Sequence, residues 1–535
     1  MIRVSIMKVA ILTIGLLLIR FADGQSSPFM EWGYWTNWGD QGNGTYRNPV
    51  IPADFSDIDC IRVGENYYAI SSTFQYCPGV IILQSKDLVN WRIIGHAVNN
   101  ISSISPEMNW DRMNRYGKGI WAGAMRYHAG KFWIYFGTPD EGYFLTTATN
   151  AEGPWDTLHQ VLSGKGWDDC CPFWDDDGKA YLVGTNFSDN YAIHLFAMTS
   201  DGTGIIKSSD KIIHQSQGSE ANKLYKINGT YYHLFSEVKS SGRALMMERS
   251  RNIWGPYKEI KQLSHTQPQF NEPNQGGLVK TEKGDWYFLT HHGTGDWSGR
   301  IVSLLPVTWA DGWPIIGKVA NDDIGDMVWQ GVIPVKDKGI EVPQTSDDFN
   351  ENLLLPQWEW NYQSRAAKWS LTERKGWLRL HAFKSIQNDN LLTAGNTLTQ
   401  RTYRTRVNEV IEKMDISGMA PGEKAGLSHF GSPDYAAIII VCQGNICRLQ
   451  FKTKGKIVNG PQIPGNIIWL KSDWGLDGLS RFYYSFNGKS FTPFAGAYQM
   501  KWEAYRGDRL AIFNYNNNAE KGYVDIDYLH YKLEK

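Results

Sequence analysis

What this chain has little of narrows it first. Its charges nearly cancel, 54 Lys plus Arg against 55 Asp plus Glu for a net charge of −1, so no field of one sign marks it for nucleic acid or an anionic membrane. Six cysteines in 535 residues are too few for disulfides to hold a fold of this size. Cys60, Cys77 and the adjacent Cys170 and Cys171 show neither zinc-ligand spacing nor the setting of a nucleophile, and they read as buried free thiols. Cys442 and Cys447 flank a turn between two strand-like runs and could meet across a hairpin; the sequence leaves bonded and free states open. Helical heptads and nucleotide-binding glycine motifs are missing.

Long apolar runs are also missing, with one exception at the start. Arg3 and Lys8 precede the apolar run Val9–Ile19, and Ala22-Asp-Gly24 supplies a small-x-small cleavage signal. Residues 1–24 therefore read as a secretory signal peptide, too short for a good membrane span. No cysteine stands at the cleavage point, so a lipid anchor is not indicated. The expectation is an exported protein without a membrane partner, periplasmic in preference to secreted.

What is abundant is aromatic: 23 Trp and 27 Tyr. Such rings suit stacking on the C–H faces of sugars, and equally suit the packing of β layers. Their placement is periodic. Five copies of a tight turn and an aromatic strand occur at Gly64-Glu-Asn-Tyr-Tyr68, Gly130-Lys-Phe-Trp133, Gly178-Lys-Ala-Tyr181, Gly229-Thr-Tyr-Tyr232 and Gly284-Asp-Trp-Tyr287. Copies about 50–65 residues apart, each built of short β-rich runs, are the signature of propeller blades. A solenoid is disfavoured because the units are hairpins and the array ends after five. The fold class expected is all-β: a five-bladed β-propeller over 25–335, a Pro/Gly-punctuated linker over 336–346, and a β-sandwich over 347–535, where turn clusters separate strand-like runs such as Ala436–Val441 and Tyr523–Tyr531.

If the aromatic strand is second in each blade, residues about ten positions earlier stand at the channel end of the innermost strand. Those positions are Asp57, Ala122, Asp169, Glu220 and Gln275. A lone Asp near a turn usually caps backbone, and Asp59 and Asp175–Asp177 are read that way. Three carboxylates at one blade phase point elsewhere. Brought into one pocket they cannot all ionise together, and the division into a protonated acid and an ionised base is what cleavage of a glycosidic bond requires.

At these residues the chain resembles family 43 glycoside hydrolases. The likeness runs through Asn48-Pro-Val-Ile-Pro52, Ser56-Asp-Ile-Asp59, Ser85-Lys-Asp-Leu-Val-Asn-Trp91, Gly119-Ile-Trp-Ala122, Pro172-Phe-Trp-Asp-Asp-Asp-Gly178, Lys223-Leu-Tyr-Lys226, Gln275-Gly-Gly277 and Asp311-Gly-Trp-Pro314, and it covers nearly all of the chain after the leader. It implies an inverting propeller enzyme in which Asp57 is the general base, Glu220 the general acid and Asp169 the carboxylate that orients the acid and tunes it. It places Trp121 and Phe74 as a sugar platform, with Arg300, His292 and Gln275 as candidates for substrate contact. The C-terminal half resembles the sandwich of β-xylosidase and α-L-arabinofuranosidase members.

The chain departs from the family in places. Asp-Pro at base and modulator is here Asp57-Ile58 and Asp169-Cys170, and Trp-Ala-Pro is Trp121-Ala-Gly123. A His that helps some members hold a central metal through water is Asn274. No cofactor is expected to be required, and a structural calcium stays an open alternative. The function implied is exo-acting release of terminal α-L-arabinofuranose from plant oligosaccharides, with β-D-xylosidase or dual activity as the alternative. An endo-arabinanase or a non-catalytic carbohydrate-binding propeller is further off.

Overall fold

Five glycines of the repeat fix the architecture. Gly64, Gly130, Gly178, Gly229 and Gly284 all have φ between 62° and 99°, a left-handed turn that side chains resist, and each joins the first and second strands of a four-stranded antiparallel sheet. The structure is a computed structural model; it describes residues 39–533 except 267–272, 294–295, 337, 432–433 and 445. The signal-peptide reading falls outside the described residues.

The five sheets are the blades. Blade 1 runs Asp59–Val63, Asn66–Ser71, Gly79–Ser85 and Trp91–Val98; blade 2 runs Gly123–His128, Lys131–Thr138, Gly142–Ala148 and His159–Ser163. Blade 3 runs Trp167–Trp174, Ala180–Asn186, Ala192–Ala197 and Lys211–Gln215; blade 4 runs Glu220–Ile227, Thr230–Lys239, Gly242–Ser250 and Glu259–Gln262. Blade 5 runs Gly276–Lys280, Trp286–Gly293, Arg300–Ala310 and Trp313–Ile316. In each blade the aromatic strand is the second, as the repeat predicts. Much of the aromatic content packs between blades: Tyr135, Tyr143 and Leu145 of blade 2 meet Leu182 and Phe196 of blade 3, and Tyr232 and Leu234 of blade 4 meet Phe288, Leu305 and Trp313 of blade 5. Asp59, read as a turn residue, is an inter-blade anchor instead. It lies on the innermost strand of blade 1, and its Oδ2 accepts from Met125 N–H and Arg126 Nη1 of blade 2, both at 2.9 Å.

The ring closes between blades 5 and 1. A Cβ on Gly277 would come within 2.4 Å of the Cys60 backbone, so only glycine lets these strands approach. Asn48 Nδ2 donates to Leu304 O and Val328 O, and Thr45–Arg47 pairs with Gln330–Val332.

The C-terminal part is a β-sandwich, and Cys442 and Cys447 are disulfide-bonded across its hairpin; the other four cysteines are free and buried. One sheet contains Glu423–Phe430, Tyr435–Gln443 and Arg509–Asn516, the other Asn408–Asp415, Ile467–Trp474 and Tyr523–Leu533. The first sheet does not stop at its own domain. Its edge strand Glu359–Asn361 pairs with Tyr76–Cys77, from the loop between the second and third strands of blade 1. Beside this seam the buried carboxylate of Glu359 takes Arg401 at 2.9 Å, Arg509, and His96 of blade 1 at 3.1 Å. Burial alone would raise this carboxyl, but the two guanidiniums outweigh it and hold it well below the usual range.

Candidate active site

All five positions counted from the repeat meet. Asp57, Ala122, Asp169, Glu220 and Gln275 line one cavity of ≈ 210 Å³, together with Phe74, Trp121, Asn274 and Arg300. Local backbone turns the acids inward. Asp57, Asp169 and Ala221 sit in the left-handed region at φ 57°, 52° and 67°. Strand register breaks between Asp168 and Cys171 and between Glu220 and Lys223. Such conformations cost about 1–3 kcal/mol each for non-glycine residues and gather where geometry serves function.

Asp57 is held from three sides. Oδ1 accepts from Arg300 Nη1 at 2.6 Å and Oδ2 from Ser72 Oγ at 2.6 Å, while its backbone N–H donates to His291 Nδ1 at 2.8 Å. Accepting at Nδ1 leaves the His291 proton on Nε2. Burial, then Arg300, Arg243 and Lys223, keep this imidazole neutral by lowering its pKa well below the ordinary value. Arg300 thus lies on Asp57, its guanidinium 5.8 Å from the Trp502 ring and 5.9 Å from the Tyr505 ring.

Glu220 opens blade 4 and pairs with Arg243 Nη1 at 3.2 Å, itself fixed by Gly218 O at 2.7 Å. Asp169 is buried, and its Oδ1 meets no partner among the described residues. Burial first, then the Glu220 charge, push its carboxyl up to about 7, against the pull of Lys223. A fourth carboxyl, Asp168, also lines the cavity and is raised well above the usual range by burial and by Asp169 and Asp57. Asp168 and Asp169 titrate as a pair.

The sequence pattern did not single out Asp168, because consecutive residues of a strand face opposite ways. The register break at Asp168–Cys171 is what brings two adjacent carboxyls to one cavity. Tyr505 was missed too: it arrives from the sandwich, on a loop with Ala504 and Tyr505 at φ 48° and 67°, and nothing in blade periodicity could find it. Its ring meets Trp121 edge-on at 5.9 Å; Trp121 is also 6.0 Å from Phe187 and donates Nε1–H to Gly117 O at 3.1 Å. Phe74 is locked by paired backbone bonds to Ile120 at 2.9 Å and covered by the Arg506 guanidinium at 4.8 Å. The His292 side chain falls outside the described residues. Gln275 lies at the cavity with Nε2 unpartnered among the described residues.

The residues at the channel do not fit a central calcium. Asn274, at the place where some family members carry a His, offers one neutral amide oxygen without a partner among the described residues. No group of three or more His, Cys, Asp or Glu among the described residues is arranged to hold a metal, and the buried Lys223 repels a divalent ion. No step is derived through one.

The glycosyl hydrolases family 43 pattern matches residues 46–314, and the β-xylosidase C-terminal concanavalin A-like domain pattern matches 346–532. The chain belongs to glycoside hydrolase family 43. Over 548 aligned residues, 93% of this chain and 92% of the relative, it is 33% identical to a β-xylosidase of Formosa agariphila. It is 32% identical to a non-reducing end α-L-arabinofuranosidase of Bacteroides ovatus, over 63% of this chain and 65% of that one. A bifunctional GH43-CE protein of Bacteroides eggerthii superposes with a TM-score of 0.80 at 30% identity, covering 91% of this chain; the chain spans 64% of that longer protein. The family 43 member described here is a glycoside hydrolase.

Proposed function

We propose that this glycoside hydrolase is exo-acting and removes single terminal pentoses from plant-derived oligosaccharides with inversion. Asp57 takes a proton from the attacking water as its oxygen bonds to the anomeric carbon. The bond from that carbon to the leaving oxygen breaks, and Glu220 gives that oxygen its proton; Asp169 orients Glu220 and sets its proton affinity. The observation that carries the reading is the meeting of Asp57, Asp169 and Glu220 at one small cavity, capped by Tyr505 across from Trp121, a shape that suits a chain end better than an open groove. Arg300 and Ser72 fix both oxygens of the base.

For the sugar, terminal β-D-xylose is the first choice, supported by the name of the relative aligned over nearly the whole chain. Terminal α-L-arabinofuranose, favoured from the sequence, is the second, supported by the Bacteroides ovatus relative. The leader read at residues 1–24 supports export to the periplasm.

Hydrolysis of xylobiose and of an arabinofuranosylated xylooligosaccharide, followed by proton NMR, tests the reading. It expects the inverted anomer first and loss of activity by about 10²–10⁴-fold in Glu220→Ala and Asp57→Ala. A retained anomer, or normal turnover by either variant, would overturn it. Parallel 4-nitrophenyl β-D-xylopyranoside and α-L-arabinofuranoside assays rank the two sugars.

A further inference from the structure

One buried charge below the acids has no part in that mechanism. Lys223 lies on the innermost strand of blade 4, three residues beyond Glu220, at the end of the register break that turns Glu220 inward. Its side chain is 0% exposed, and Nζ meets no hydrogen-bond acceptor among the described residues. An ammonium out of water costs several kcal/mol unless anions compensate, and a methionine would fill the same space without that cost.

The compensation comes from the site. Lys223 acts on Asp169 and Cys170 of blade 3 and on His291 of blade 5, where its field favours the ionised carboxylate and thiolate and the neutral imidazole. The other charged groups of this cluster are Asp57, Asp168, Glu220, Arg243 and Arg300. The Asp169 carboxyl within this cluster thus feels an internal cation that forms no direct ion pair among the described residues.

We propose that Lys223 is a positioning residue whose covalently attached charge does for the carboxyl cluster what a bound divalent ion would otherwise do: it keeps the cluster partly ionised, so that one acid holds a proton while another has lost it. This rests on the reading of Asp57, Asp169 and Glu220 as the reacting acids, and it accounts for a channel whose residues do not fit calcium.

Two measurements on the full chain test it. In Lys223→Met both limbs of the pH profile of kcat/KM should move to higher pH by about one unit, because each carboxyl loses a positive neighbour; Lys223→Arg should restore the wild-type profile. Where the Met variant does not fold, Lys223→Gln serves in its place. Wild-type protein dialysed against EDTA should keep its activity and its Tm when calcium chloride is added back. Unmoved limbs with only a lower Tm would reduce Lys223 to packing, and activity lost to EDTA and restored by calcium would place the cation elsewhere; either result overturns the proposal. A shifted profile alongside an active Glu220→Ala would fault the assignment of the acids and not that of Lys223.

Discussion

Arg300 Nη1 donates to Asp57 Oδ1 at 2.6 Å, so a side chain read from the sequence as a sugar contact rests on the carboxylate proposed as the base. A short charged bond of this kind fixes where the free lone pair of Asp57 points, and with it the line of attack for water. Arg300→Lys cannot hold that direction together with its stacking on Trp502 and Tyr505. It should lower kcat by about 10–100-fold with a smaller change in KM, measured on an aryl glycoside near the pH optimum.

Asp168 presents a carboxyl that burial, with Asp169 and Asp57, raises well above the usual range, and it has one oxygen buried without a partner among the described residues. A neutral acid there can donate to a sugar hydroxyl. Asp168→Asn retains a donor and should stay within about threefold in kcat/KM, whereas Asp168→Leu should lose about 10–100-fold. Deoxy glycosides check the assignment: the analogue lacking the contacted hydroxyl should be hydrolysed equally by both variants.

Tyr505 is 54% exposed yet reaches the cavity from the second domain. Tyr505→Ala should raise KM for xylobiose by about tenfold through lost stacking, with Tm nearly unchanged, and Tyr505→Phe should behave as wild type. Steady-state kinetics beside a thermal melt separate these outcomes.

Glu412 lies in the sandwich core, 0% exposed, with neither oxygen partnered among the described residues, and burial pushes its carboxyl up to about 8. The folded protein holds that proton while the unfolded chain releases it near the ordinary 4.5, so stability falls as pH rises between these values. Glu412→Gln should remove that slope, with a gain of about 4 kcal/mol at pH 8 and little change at pH 4.5. Denaturant melts across the range measure it; equal slopes in both proteins would refute the assignment.

The propeller was legible because five glycine turns must be left-handed and five aromatic strands must pack between blades; both constraints act locally and repeat. The positions of Asp57, Asp169 and Glu220 followed from that period. Asp168 did not, since a register break is a property of two strands and leaves no period behind. Tyr505 and the Arg401–Glu359–Arg509 cluster did not either, for they depend on how the sandwich docks. Asp59 misled for the opposite reason: its neighbours suggested a turn, while its partners lie on the next blade.

The short pairing of Tyr76–Cys77 with Glu359–Asn361 reaches beyond stability. Phe74 stands two residues before that pair, so one wall of the cavity is stitched to a sheet encoded some 280 residues downstream. Recombination between related genes at the 336–346 junction would therefore exchange half of a sheet edge and the Tyr505 cap together. Chimeras made there should inherit a mismatched entrance even where both parents are sound, which ties the two halves into a single unit of descent.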